Sequence, residues 1–257
     1  MKSLNTFSVA VTLMLALPAF ASAQVILSNS KVTYTYVESP SGSFVPAAPL
    51  TSATPESSLS FAPGSFVAST SGGGFQSDNA TGVLTVDMDA APGLWFSGNA
   101  MSLFLSGSYS LTAPFSSSQA FTSFSSSYTL IVDGVDGSPF SSSMPLSSNI
   151  SIAPPSVSAV GPGGSSSGLW SGSFALDINT IKTHFGIGAT NNVTGMRLQL
   201  STTVAAASID GMASAALLNA NIGNVAVPEP STYALLALAA CALGVAALRR
   251  KKKPVSR

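Results

Sequence analysis

The chain is poor in most of what catalysis draws on. It has one cysteine, one histidine and two tryptophans in 257 residues, and charged side chains make up only 8% of it. The cysteine, Cys241, lies near the C-terminus, so the 207 residues from Gln24 to Pro230 contain none. A domain there must hold itself together by burial and sheet hydrogen bonds rather than by disulfides. One histidine without cysteine cannot supply the usual zinc ligand set, and no cofactor is expected. His184 itself reads as a capping or surface residue rather than a general base. Positive charge is scarce in the same stretch. Ten acids stand there against Lys31, Lys182 and Arg197, a net −7, while the formal charge of the whole chain is zero. Nucleic-acid binding needs a basic surface on the folded body and is excluded as a partner class.

What is abundant is serine, threonine, alanine and glycine, set among apolar residues with a period of two. Val32, Tyr34 and Tyr36 alternate with Thr33 and Thr35, and Leu84, Val86 and Met88 with Thr85 and Asp87. Met101, Leu103 and Leu105 repeat the pattern, as do Tyr128, Leu130 and Val132. The cleanest run is Thr194–Val204, with Met196, Leu198, Leu200 and Val204 against Arg197, Gln199, Ser201 and Thr203. Such alternation predicts half-buried strands. Eight to ten of them predict an all-β body, a β-sandwich or jelly roll, over residues 24–226. Gly107 is expected to mark a bulge before Tyr109 and Leu111. Ala205–Asn224 is alanine-rich, but Asp210-Gly211 reads as a turn, so a hairpin is expected there. One short helix is expected at Asp177–Phe185, capped by Asp177 or Asn179 and stopped by Gly186. Ser39–Pro63 and Ala153–Gly168, rich in proline or in glycine and serine, read as long connections, the second a candidate separator of two halves. Gly93-Leu94-Trp95 recurs as Gly168-Leu169-Trp170, a triplet that chance explains as well as duplication does.

The two ends carry addresses. Residues 1–23 have a charged Lys2, a mostly apolar Phe7–Phe20 and the small-residue site Ala21-Ser22-Ala23, which predicts a signal peptide cut before Gln24. That implies the Sec translocon and signal peptidase as processing partners. Residues 227–257 begin Val227-Pro228-Glu229-Pro230. An uncharged run follows from Tyr233 to Leu248, and then Arg249, Arg250, Lys251, Lys252 and Lys253. As a helix the 16-residue run would be about 24 Å long, against about 30 Å of bilayer hydrocarbon. It spans only with snorkelling flanks or a thinned bilayer, as a transmembrane helix whose basic end is cytoplasmic.

Tripeptide, apolar helix and basic cluster in this order, behind a signal peptide, resemble the PEP-CTERM sorting signal of Gram-negative bacteria. The resemblance covers the last 30 or so residues and nothing upstream. It implies that exosortase, a membrane-embedded transpeptidase-like enzyme, recognises Pro228, Glu229 and Pro230 and cuts near them. An inner-membrane-anchored precursor would then become a cell-surface or extracellular protein, with a structural or adhesive role linked to exopolysaccharide and biofilm. Two other readings stand beside it. A carbohydrate-binding module would use Trp95 or Trp170 as a sugar platform, although buried indoles are the usual state in a β core. A glycan-active hydrolase would use two carboxylates about 5 to 10 Å apart. Asp87 with Asp89, and Asp133 with Asp136 in an apparent turn, are the acid pairs available. The expectation is that the body is not an enzyme.

Overall fold

The computed structural model describes residues 24–28, 30–37, 46–48, 56–63, 66–142 and 144–228. In chain order the strands are β1 (Gln24–Ser28), β2 (Val32–Val37), β3 (Pro46–Ala48), β4 (Glu56–Phe61), β5 (Val67–Ser71), β6 (Phe75–Ala90), β7 (Leu94–Ala113) and β8 (Gln119–Val135). They continue with β9 (Ser138–Pro139), β10 (Leu146–Asn149), β11 (Ile152–Ala153), β12 (Ser156–Val160), β13 (Gly164–Leu176), β14 (Val193–Ile209) and β15 (Met212–Pro228), with helix α1 (Ile178–Phe185) before β14. Two antiparallel sheets result. The first has the order β1-β2-β6-β14-β8-β10, with β9 and β12 also on β8; the second has the order β11-β13-β7-β15-β4-β3, with β5 also on β15.

The period-two runs explain the layering. Val32, Tyr34, Tyr36, Leu84, Val86, Met88, Leu130, Val132, Leu198 and Leu200 are all buried on one face of the first sheet. Met101, Leu103, Leu105 and Ile222 are buried on one face of the second. The two faces meet. Tyr36 of β2 sets its ring edge-on to Phe61 of β4 at 5.5 Å, and Tyr128 of β8 stacks on Phe174 of β13 at 4.0 Å. A buried polar bridge joins the sheets as well. The Tyr34 hydroxyl donates to Asn224 Oδ1 at 3.1 Å, and Asn224 Nδ2 donates to the Ala100 carbonyl at 2.9 Å. Satisfied in this way, the amide costs little to bury.

Helix α1 forms as its end signals predict. Asp177 is the N-cap and its carboxylate accepts from the Asn179 amide at 2.8 Å. Gly186 ends the helix with φ 66°, a left-handed conformation that glycine adopts without penalty. It is the one helix among the described residues.

Several expectations need correction. Ala205–Asn224 is extended as expected, but it is not a hairpin. Asp210 and Gly211 join β14 to β15, yet β14 pairs with β6 and β8 while β15 pairs with β4, β5 and β7. The two residues turn a corner between sheets, because Ala206, Ser208, Ala213 and Ala215 are all buried and must face the same core from opposite sides. The bulge lies opposite Gly107 rather than at it. The register of β15 on β7 slips between Leu217 and Asn219. The proline- and serine-rich stretches are not plain connections. β3 and β4 lie in the first, and β12 and the start of β13 in the second, pairing with β8 and β7. Ala153–Gly168 therefore contributes to both sheets and does not separate two halves. Pro46 is tolerated because β3 is an edge strand.

The expected transmembrane helix at residues 233–248 and the signal peptide at 1–23 lie outside the described residues. Among the described residues no helix is long and apolar enough to cross a membrane.

Candidate functional site

The described part of the sorting tail is the end of β15, at the centre of the second sheet. Ala226, Val227 and Pro228 stand opposite Phe96, Trp95 and Leu94 of β7. Ala226 is fully buried. Glu229, Pro230 and the basic cluster Arg249–Lys253 lie outside the described residues, as do Ala21 and Ala23. Gln24, the expected first residue of the processed chain, begins β1 opposite Val37.

The same end of the body holds an acidic cleft on the outer face of the first sheet. Asp87 and Asp89 point outward from β6 because Val86 and Met88 point in. Arg197 of β14 lies directly opposite Asp87, and its Nε donates to the Asp87 carboxylate in an ion pair. Gly195 of β14 has Asp89 on one side and Gly134 of β8 on the other. A side chain at Gly195 would run into Asp133 Oδ1, 2.6 Å from where a Cβ would stand. Glycine thus lets Asp133 lean over β14 toward Asp89. The two acids line an open cleft of about 530 Å³ with Pro92, Ser138 and Thr194. Burial raises the Asp133 carboxyl above its ordinary value, and the charges of Asp89 and Asp87 add to this while Arg197 opposes it. Asp89 is raised by burial and then by Asp87, again with Arg197 opposing. The acids that meet are therefore Asp87, Asp89 and Asp133. Asp136, expected beside Asp133, sits apart in a two-residue turn with Gly137, both at positive φ, where its carboxylate accepts from the Asn191 side chain and the Asn192 amide. Among the described residues no group of His, Cys, Asp and Glu is placed to hold a metal ion.

These shifts fix the sign of a pH effect. A carboxyl raised in the folded state keeps its proton to higher pH than the unfolded chain does. Its contribution is complete below the unfolded value near 3.9 and is lost as pH rises through the folded value. Asp133→Asn should therefore melt higher than the wild type at pH 7, with the gap closing as pH falls toward about 4. Melting curves across that range check it, and a variant that melts lower at pH 7 would show that the Asp133 charge stabilises the fold.

The other expected site residues fall apart in space. Trp170 is 1% exposed. It stacks on Phe124 at 4.8 Å, and its Nε1 donates to the Ala216 carbonyl at 3.0 Å. It has no face left for a sugar. Trp95 is half-buried on the outer side of the second sheet, opposite Val227. The repeated triplet thus sits in two unlike settings. His184 is exposed on the last turn of α1, edge-on to Phe185 at 4.8 Å. Gly164-Ser165-Ser166-Ser167-Gly168 has the spelling of a nucleophile elbow, but it lies within β13, not at a strand-to-helix turn.

Sequence reasoning missed the two outer faces. On the first sheet Thr81, Thr203 and Ser125 form one row, and Thr85, Gln199, Thr129 and Ser147 another. Their hydroxyls bond across strands, Thr81 to Thr203 and Thr129 to Ser147, each at 2.9 Å. On the second sheet Ser214, Ser110 and Ser167 line up, next to Ser69 of β5. These hydroxyl rows share the outer faces with exposed apolar side chains such as Val83, Phe104, Phe121 and Leu169, and the charge on the first sheet gathers at the acidic cleft. The outward positions of the alternating runs were the available signal.

Residues 226–251 match the family model of the PEP-CTERM protein-sorting motif. The tail is a PEP-CTERM sorting signal. A PEP-CTERM motif implies an exported protein with exosortase as its processing partner, and it says nothing of the body upstream. No curated protein matches the chain. Among solved structures, the family 11 xylanase from Neocallimastix patriciarum is 11% identical over 76% of this chain and 92% of its own, with a TM-score of 0.18. The infectious bursal disease virus VP2 subviral particle is 10% identical over 78% of this chain and 53% of its own, with a TM-score of 0.16. Similarity at this level does not establish a shared fold.

Proposed function

We propose that the exosortase-sorted body is a non-catalytic cell-surface or matrix protein that adheres to exopolysaccharide through its hydroxylated sheet faces. The observation that carries this reading is the rows of serine and threonine hydroxyls that run across both outer faces, clear of the acidic cleft at one end of the first sheet. Hydroxyls donate and accept, so flat rows of them suit a polyhydroxyl polymer. They gain nothing from ion pairing, so such adhesion should be insensitive to salt. The body's net −7 includes Asp87, Asp89 and Asp133 at one end of the first sheet's outer face, and it favours solubility over non-specific attachment.

The test follows the protein through sorting. In a host with exosortase, Glu229→Ala should leave membrane-held precursor, while the wild type releases a body that co-sediments with the host polysaccharide in low and high salt alike. Equal release from both would remove the sorting role of Glu229. Release without co-sedimentation would remove the adhesive role.

A second reading, glycan hydrolysis, is favoured by one observation: Asp89 and Asp133 share a cleft and both carboxyls are raised. A raised carboxyl is what a general acid needs. Polysaccharide turnover by the wild type that is lost in Asp133→Asn would make the body an enzyme.

A further inference from the structure

We propose that this chain associates with a second copy of itself through an apolar patch at the β14–β15 corner, the end of the body far from Pro228. The association goes beyond adhesion to polysaccharide and does not depend on it.

Strand register builds the patch. On the outer face of the first sheet Phe75 of β6 stands beside Ile209 of β14, Ile209 beside Gln119 of β8, and Gln119 beside Val160 of β12. The next outward row holds Ser77, Ala207, Phe121 and Ser158. Phe115, in the turn between β7 and β8, sets its backbone carbonyl against Gly161, the residue after Val160. Phe75, Phe115, Phe121, Val160 and Ile209 are between 37% and 69% exposed. At roughly 200 Å² for a whole aromatic side chain, the five expose on the order of 500 Å² of apolar surface. The largest apolar patch on a typical monomer is about 300–600 Å² and is often functional. A standard interface takes about 800 Å² from each partner, and its core is about 65% apolar. The patch therefore supplies the apolar part of one side of such an interface.

This end of the body is also tied together. The Gly74 amide donates to the Asp210 carboxylate at 2.6 Å, and the Asp210 amide donates to the Gly74 carbonyl at 3.2 Å. The Ser118 hydroxyl donates to the Asp210 carbonyl at 2.8 Å, and the Gly161 amide donates to the Ser118 carbonyl at 3.0 Å. Four turns are joined in this way, so docking has little chain left to order.

Charge selects the occupant. Neither row carries a charged side chain, and Asp210, the one charged residue in the four turns, already has its carboxylate engaged. A basic or an acidic partner finds no counter-charge on the patch. A two-fold contact sets a surface against itself and needs it to be self-complementary, which a neutral apolar patch is. The acids that would repel a second copy are elsewhere. Asp87, Asp89 and Asp133 line the other end of the same sheet, and the strand from Phe75 to Asp89 runs about 45 Å. That is several times the screening length of about 8 Å at physiological salt. An antiparallel pair separates the two acidic clefts most and puts the two sorting tails at opposite ends.

Sedimentation equilibrium of the full-length chain in a non-ionic detergent tests the contact. The wild type should show a monomer–dimer equilibrium at roughly 100 µM, where a contact of this size is populated. Added salt should not weaken it, because no ion pair holds it. Phe75→Lys and Val160→Lys should each weaken the association by about tenfold or more while melting with the wild type. Phe115→Lys, on a turn, replaces either one if it melts lower. Leu169→Lys places the same charge at an exposed apolar position on the outer face of the second sheet, and should leave the dimer unchanged. A wild type that stays monomeric at this concentration overturns the proposal. So does a dimer that survives the lysine variants, since the contact would then lie elsewhere, the tail included. A monomer whose polysaccharide co-sedimentation is lost in those variants would make the patch a sugar platform instead, and overturns it too.

Discussion

Trp170→Ala should destabilise the body by about 3–5 kcal/mol, the range for deleting a large aromatic from a packed core. The indole is 1% exposed, stacked on Phe124 of the opposite sheet, and holds the Ala216 carbonyl through Nε1. Truncation removes the buried area, the stacking and a donor at once. The Ala216 carbonyl would be left without its side-chain donor, which adds to the cost of the cavity. Total stability for a domain is about 5–15 kcal/mol, so this one change would consume a large share of it. Denaturant titration of the purified body checks the size. Trp95→Ala is the internal control, because Trp95 is half-buried on the outer side of the sheet. It should cost clearly less. If the two changes cost the same, Trp170 is not the structural anchor that its contacts make it.

The parity that separates these two tryptophans was readable from the chain. In the run from Ser165 to Trp170, Ser165, Ser167 and Leu169 point out, and Trp170 falls on the inward phase. The inward residues of β2, β6, β8 and β14 were legible for the same reason, since alternation is a local property. Which sheet each strand joins was not legible. The corner at Asp210-Gly211 looks like a hairpin because two residues serve either purpose, and only the partners of β14 and β15, some 100 residues away, decide between them. The short strands β9, β10, β11 and β12 had no signal, being held by a long neighbour rather than by their own composition, and β3 rests on the short β4. The acidic cleft was hidden for a topological reason. Asp89 and Asp133 are brought together by β14, which enters the sheet between β6 and β8, and Gly195 gives no hint in sequence of the carboxylate it accommodates. The sorting motif was legible because its information is linear. Its junction with the body was not, because nothing in Val227-Pro228 says that the preceding strand is central.

The largest expected loss comes from a single methyl group at Gly107. A Cβ there would collide with the Ala216 carbonyl oxygen and with the Nε1–Cε2 edge of Trp170. The carbonyl is backbone of β15 and the indole is pinned by Phe124 and by its own hydrogen bond to the same carbonyl. None of these groups is the free end of a flexible chain, so relief requires β7, β13 and β15 to separate. Overpacking in a tight core costs about 1–3 kcal/mol and sometimes more. Gly107→Ala should exceed that range, because backbone itself is in the way, and should leave little folded protein at 37 °C. The cause can be isolated with a double-mutant cycle. In a Trp170→Ala background the indole half of the collision is gone, so Gly107→Ala should cost less there than in the wild type, though still something because the Ala216 carbonyl remains. Additive losses would mean that the indole moves aside freely and that glycine is required at 107 by the backbone alone.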